Sequence, residues 1–237
     1  MSSSIVTRFY FVVICANYCW FTHAHASEPM GSEGMQQRVQ ACTVCHGKEG
    51  VSTNQGYFPR IAGKPVNYLY NQLINFRDGR RHNAAMQHLL ENLSDAYLHE
   101  IALYFSALNL PYPPAQTIGS DPALLAKGKQ LVLYGDKQRD IPACIACHGA
   151  AMTGRMPSTP GLLGLPRDYV VAQIGGWKSG SRKAIAPDCM AQVAQRLSTE
   201  DIYAVSNWLS SQHVMGYGHP APAVRQTTSI TCAGEKP

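Results

Sequence analysis

Charge is scarce in this sequence, and so are aromatic rings: 15% of its 237 residues are charged and 9% are aromatic. Past residue 21 no apolar run is long enough to cross a bilayer, which excludes a bundle of membrane-spanning helices. No block of Lys and Arg accompanies the net charge of +5, so nothing points to nucleic acid. There is no convincing alternating strand pattern, and no arrangement of nucleophile, base and carboxylate of the kind hydrolytic chemistry needs. Disorder is excluded as well, because 45% of the residues are apolar.

The first 26 residues read as a signal peptide. Arg8 supplies the positive charge, Phe9 to Phe21 form a short apolar run, and Ala24-His25-Ala26 fits a small-x-small cleavage site. The mature chain would then start at Ser27 in the periplasm; a retained membrane anchor is the alternative. Cys15 and Cys19 leave with the signal peptide. Six of the eight cysteines remain, in a compartment that permits disulfides.

Four of those six have a more specific meaning. Cys42-Thr43-Val44-Cys45-His46 and Cys144-Ile145-Ala146-Cys147-His148 are both C-x-x-C-H, the attachment motif of c-type haem. Two thiols add to the two vinyl groups on one porphyrin edge, and the adjoining histidine then gives the iron an imidazole ligand. A redox C-x-x-C or a zinc site would fit a single copy. Two copies that each end in His favour two covalently bound haem c groups.

The motifs recur because the chain repeats itself. Pro59-Arg60-Ile61-Ala62-Gly63 parallels Pro160-Gly161-Leu162-Leu163-Gly164, and Tyr68, Gln72 and Phe76 parallel Tyr169, Gln173 and Trp177, all at an offset of 101. Arg81 parallels Arg182 and Met86 parallels Met190. Both copies read as helical. Pro65 starts one helix and Gly79 stops it; Ser94 caps another, whose stripe is Leu98, Ile101, Phe105 and Leu108; Ser198 and Asp201 form a capping box before Ile202, Val205 and Leu209. The expected architecture is all-α, two tandem domains each wrapped around one haem: domain 1 at 27–112, a Pro-rich linker at 113–120, domain 2 at 121–217 and a tail at 218–237.

Each iron needs a sixth ligand. Met86 is the only methionine in the first copy after His46, and Met190 holds the matching place after His148. A thioether opposite imidazole raises a haem's potential. Core packing is the other use of a lone methionine, and it suits Met152 and Met156, which follow His148 too closely to reach the far haem face. His82 and His88 compete with Met86 but have no counterparts near Met190. Cys189 and Cys232 leave two readings open, a disulfide from the Met190 loop to the tail, or a free Cys189 thiolate as an iron ligand.

Over residues 30–215 the chain resembles the di-haem cytochrome c4 family. The likeness rests on both C-x-x-C-H motifs, the two Pro-to-Gly segments, the Tyr68–Gly79 pattern and the late methionine of each half. It implies two cytochrome c domains related by pseudo-twofold symmetry, His/Met ligation by His46, Met86, His148 and Met190, and single-electron relay rather than catalysis. The usual route runs from quinol–cytochrome c reductase to a terminal oxidase. It also implies that the Pro59 and Pro160 carbonyls take the histidine ring N–H. Cys189 and Cys232 depart from the family pattern. They leave room for a cytochrome subunit of a dedicated dehydrogenase, or for a di-haem redox enzyme acting on a small substrate. The expected partners are redox proteins: a membrane-bound reductase, an oxidase or a dehydrogenase. Residues 121–217 carry 10 basic against 7 acidic groups, whereas residues 27–112 carry 7 of each. Lys178, Arg182 and Lys183 would then form a basic docking face on the second half, the alternative being an ordinary solvated surface.

Overall fold

A computed structural model describes residues 32–52, 57–117, 119, 121–214, 218–224, 230, 232 and 233. The expected signal peptide, residues 1–26, lies outside them. Each half has five helices in the same order. The first half has α1 (Ser32–Arg38), α2 (Gln40–His46), α3 (Val66–Arg77), α4 (Ala84–Leu90) and α5 (Asp95–Ala107). The second has α6 (Pro122–Tyr134), α7 (Cys144–His148), α8 (Arg167–Ser179), α9 (Cys189–Arg196) and α10 (Thr199–Ser210).

Local chemistry sets the helix ends. The Ser94 hydroxyl accepts the Tyr97 N–H at the start of α5. At α10, Ser198 and Asp201 exchange hydrogen bonds as a full capping box. Asp121 caps α6 and Pro122 is its first residue, so the helix begins where the sequence reading had ended the linker. The linker itself is tied down: Gln116 N–H donates to the Ser210 carbonyl, and the Gln116 side chain accepts from Arg167 N–H.

Two separate apolar clusters form. Val39, Leu69, Phe76, Leu98, Ile101 and Phe105 fill the first, and Leu131, Val132, Ile174, Ile202, Val205 and Leu209 fill the second. Each such side chain contributes about 1.5–3 kcal/mol on burial. In the second half α10 crosses α6 at Gly128, where an added Cβ would strike the Ala204 carbonyl. Only glycine lets the two backbones approach that closely.

The one strand pair longer than an isolated bridge among the described residues is a two-residue hairpin, β1 (Gly154–Arg155) against β2 (Thr159–Pro160). The C-terminal segment docks on it. Ala221 N–H donates to the Gly154 carbonyl and Met156 N–H to the Ala221 carbonyl, each at 2.8 Å. Further on, Ile230 is buried and Cys232 forms a disulfide with Cys189. The open choice at Cys189 is thereby closed in favour of the disulfide.

The halves meet through a pseudo-twofold contact. His82 N–H donates to the Ser181 carbonyl at 2.9 Å, and Lys183 N–H to the Arg80 carbonyl at 2.7 Å. Arg81 and Arg182 pair antiparallel at its centre. Gln72 Oε1 accepts from Arg81 at 2.9 Å and Arg182 at 3.0 Å; Gln173 Oε1 accepts from the same two at 2.6 and 2.8 Å. Arg81 also donates to the Tyr169 hydroxyl, and the two guanidinium groups lie over Phe76 and Trp177. A shift of 101 positions maps these contacts onto one another.

The expected basic docking face is not built. Arg182 is 7% exposed and faces the first half. Lys178 turns onto the carbonyls of Ala194 and Leu197 at the end of α9, where a cation is favoured. Lys183 alone stays on the surface.

Candidate functional site

The two C-x-x-C-H motifs occupy equivalent places. Each forms a short helix, α2 or α7, that ends on its histidine and passes into Gly47 (φ 79°) or Gly149 (φ 84°), a turn that side chains resist. Neither C-x-x-C closes into a disulfide. Burial raises the Cys42 pKa. Burial and the neighbouring Cys147 push the Cys144 thiol up to about 12. Catalytic redox pairs need the reverse, a thiol made acidic by its surroundings. The redox C-x-x-C reading therefore has no support in the geometry. A zinc cluster has none either, since no three His, Cys, Asp or Glu side chains converge among the described residues.

The histidines are oriented as an iron needs. His46 Nδ1 lies 2.9 Å from the Pro59 carbonyl and His148 Nδ1 lies 2.7 Å from that of Pro160. A carbonyl only accepts, so each Nδ1 carries the proton and each Nε2 keeps a lone pair for a metal. Burial lowers the pKa of both rings, which holds them neutral. Nearby cations act in the same direction, Arg81 on His46 and Lys64 with Arg155 on His148.

The methionines sit near the starts of corresponding helices. Asn83 caps α4 by accepting Met86 N–H at 3.0 Å, and Met86 packs half-buried on the first core cluster, as Cys42 does. Asp188 caps α9 by accepting Ala191 N–H, and it also holds Trp177 Nε1 and Ala184 N–H. Met190 therefore stands one position earlier in its helix than Met86 does, with Cys189 and its disulfide directly before it. The competing His82 and His88 side chains are exposed, and His88 pairs with Glu91. Met152 is buried in the second core, as expected, whereas Met156 is 39% exposed.

Two further side chains, which the sequence did not single out, flank these motifs. Arg60 is buried and donates to the carbonyls of Ala62, Leu110 and Pro111 while lying over Tyr112. Lys64 is buried as well and reaches across to the Gly161 carbonyl at 3.0 Å. Burial and Arg60 bring the Lys64 pKa down to about 7.

No helix among the described residues is long and apolar enough to cross a membrane. No protein-family model matches the chain. Known proteins do. The chain is 39% identical over 172 residues to the thiosulfate dehydrogenase electron acceptor of Thiomonas intermedia, a match covering 73% of this chain and 78% of that one. It is 33% identical over 180 residues to cytochrome c4 of Pseudomonas aeruginosa, covering 75% and 87%. The crystal structure of reduced cytochrome c4 from Pseudomonas stutzeri superposes with a TM-score of 0.66 at 32% identity, over 77% of this chain and 99% of that one. Sequence, fold and the paired histidine geometry agree, and the chain belongs to the di-haem cytochrome c4 family, all-α proteins that carry electrons on two haem c groups.

Proposed function

We propose that the protein is a periplasmic electron acceptor for a dehydrogenase of the kind that oxidises thiosulfate, passing those electrons on to the respiratory chain. In this reading Cys42 and Cys45 tether the first haem, and Cys144 and Cys147 the second. His46 with Met86, and His148 with Met190, are the axial pairs. The domain limits are those read from the repeat, with 27–112 around one haem and 121–217 around the other. Each bound haem supplies one electron's worth of ferrous–ferric cycling.

The observation that carries the haem assignment is the pair of Nδ1–H to Pro59 and Pro160 carbonyl bonds, which fix both imidazoles and leave each Nε2 its lone pair. The shared arginine pair supports it. Among the described residues no carboxylate pairs with Arg81 or Arg182, although both are buried. Haem propionates are anions suited to such an unneutralised pair. The partner assignment rests on the 39% likeness to a thiosulfate dehydrogenase electron acceptor. Other known members are named simply cytochrome c4, so delivery from quinol–cytochrome c reductase is the competing route.

Mass spectrometry of the exported protein should give the chain from Ser27 plus two haem masses. The oxidised protein should then be reduced within a stopped-flow mixing experiment by catalytic thiosulfate dehydrogenase and thiosulfate, followed at the haem α-band. Fewer than two haems would overturn the cofactor assignment. Rapid reduction by a quinol–cytochrome c reductase, with none by the dehydrogenase, would overturn the partner.

A further inference from the structure

Lys64 is 2% exposed, and no carboxylate pairs with it among the described residues. Its ammonium donates to the Gly161 carbonyl, 97 positions away in the other half. Gly161 follows Pro160, whose carbonyl holds the His148 ring at 2.7 Å. The stretch has no slack. Gly161 lies so close to the Thr153 backbone that a Cβ would clash, and Leu162 N–H donates to the Met152 carbonyl at 2.8 Å. A residue of the first half thus places a positive charge one carbonyl along from the group that orients the second histidine.

The repeat offers no return contact. A shift of 101 puts Leu165 at the place of Lys64 and Gly161 at that of Arg60. Leu165 has no charge to give. A buried charge acts through a medium far less screening than water. A cation there favours the iron state that carries one positive charge fewer. Resting on the haem assignment above, we infer that Lys64 is a positioning residue through which the first half raises the reduction potential of the second haem alone.

The test compares holoproteins bearing Lys64→Met, which keeps bulk without charge, and Lys64→Arg, which keeps the charge. Both are titrated spectroelectrochemically at pH 6 in high salt, where surface charges are screened and a buried one is not. The second haem's wave is identified as the one displaced in Met190→His. Lys64→Met should lower that midpoint and leave the other in place, and Lys64→Arg should hold both near the parent values. An unmoved second midpoint, or equal displacement of both, would overturn the inference. Should Lys64→Met fail to assemble, Lys64→Gln drops the charge with a donor retained and is read the same way. A parent protein lacking its second haem would instead sink the haem assignment, so the two failures are distinguishable.

Discussion

The Cys189–Cys232 disulfide closes a loop of 43 residues, and its removal should be costly in a measurable way. In the chain-entropy model such a loop contributes about 4 kcal/mol, acting mainly by restricting the unfolded chain. Two local features add to that. Ala233 N–H donates to the Pro187 carbonyl at 2.9 Å, and Ile230 is 7% exposed, so the bond also anchors a buried apolar side chain. Residual structure in the unfolded state works the other way, and about 3–4 kcal/mol is the expected loss in Cys189→Ala/Cys232→Ala. The melting temperature converts this into a report on cooperativity. If the second half unfolds alone, as a unit of about 100 residues, the shift is about 12–30 °C; if both halves unfold together it is about half that. The melt is followed at the Soret band with both irons kept reduced, so that a dithiol added to the parent protein acts only on the disulfide. Reduction of the parent should reproduce the double variant. A melting temperature within a degree or so of the parent, or two labelled thiols in the denatured unreduced protein, would refute the reasoning.

Met86→Ala and Met190→Ala should each lower one haem's potential and open that iron alone to carbon monoxide, read from the Soret shift; a parent protein that already binds the gas at both irons would show the ligands to be others. Gly128→Ala should destabilise the second half by about 1–3 kcal/mol, because the new Cβ must push α6 off the Ala204 carbonyl; chemical denaturation with the first half as internal reference checks it. Asp201 is buried, which raises its pKa, yet hydrogen bonds from Arg139, Ser198 and Lys127 outweigh burial and hold it well below the usual carboxylate range. A carboxyl whose pKa falls on folding stabilises at pH values above its unfolded pKa, and the gain is lost as pH falls through the folded value. Asp201→Asn should therefore cost about 1–3 kcal/mol at neutral pH, with the gap to the parent narrowing below about pH 4; a gap constant down to pH 2.5 would contradict the charge argument.

Features encoded locally were legible in the sequence. Ser94 and Ser198 cap the helices they were read to cap, because a hydroxyl beside an unpaired N–H acts within one turn. The two attachment motifs could be read because the chain states them twice, and the proline carbonyls because the resemblance to cytochrome c4 implies them. What stayed hidden depends on distant packing. Lys178 and Arg182 were counted as surface charge, and a charge count cannot show that one is spent on helix carbonyls and the other on the opposite half. The Lys64 to Gly161 bond joins segments that only the folded interface brings together. The β1–β2 hairpin is two residues deep, too short to carry a period. The start of α6 is encoded locally as well: Asp121-Pro122 is a cap followed by an N1 proline, at the place where domain 2 was expected to begin.

The arginine–glutamine contact between the halves has the symmetry of a dimer interface. Residue and partner swap roles under the internal shift, which is the definition of an isologous surface, the kind by which two copies of one polypeptide form a closed dimer. Between separate chains such a contact would form only at a concentration-dependent cost. Because one chain joins the halves, the encounter is intramolecular and dilution does not separate them. The flanks do not share that symmetry: Lys64 stands where the other half has Leu165, so a symmetric contact joins two unlike ends.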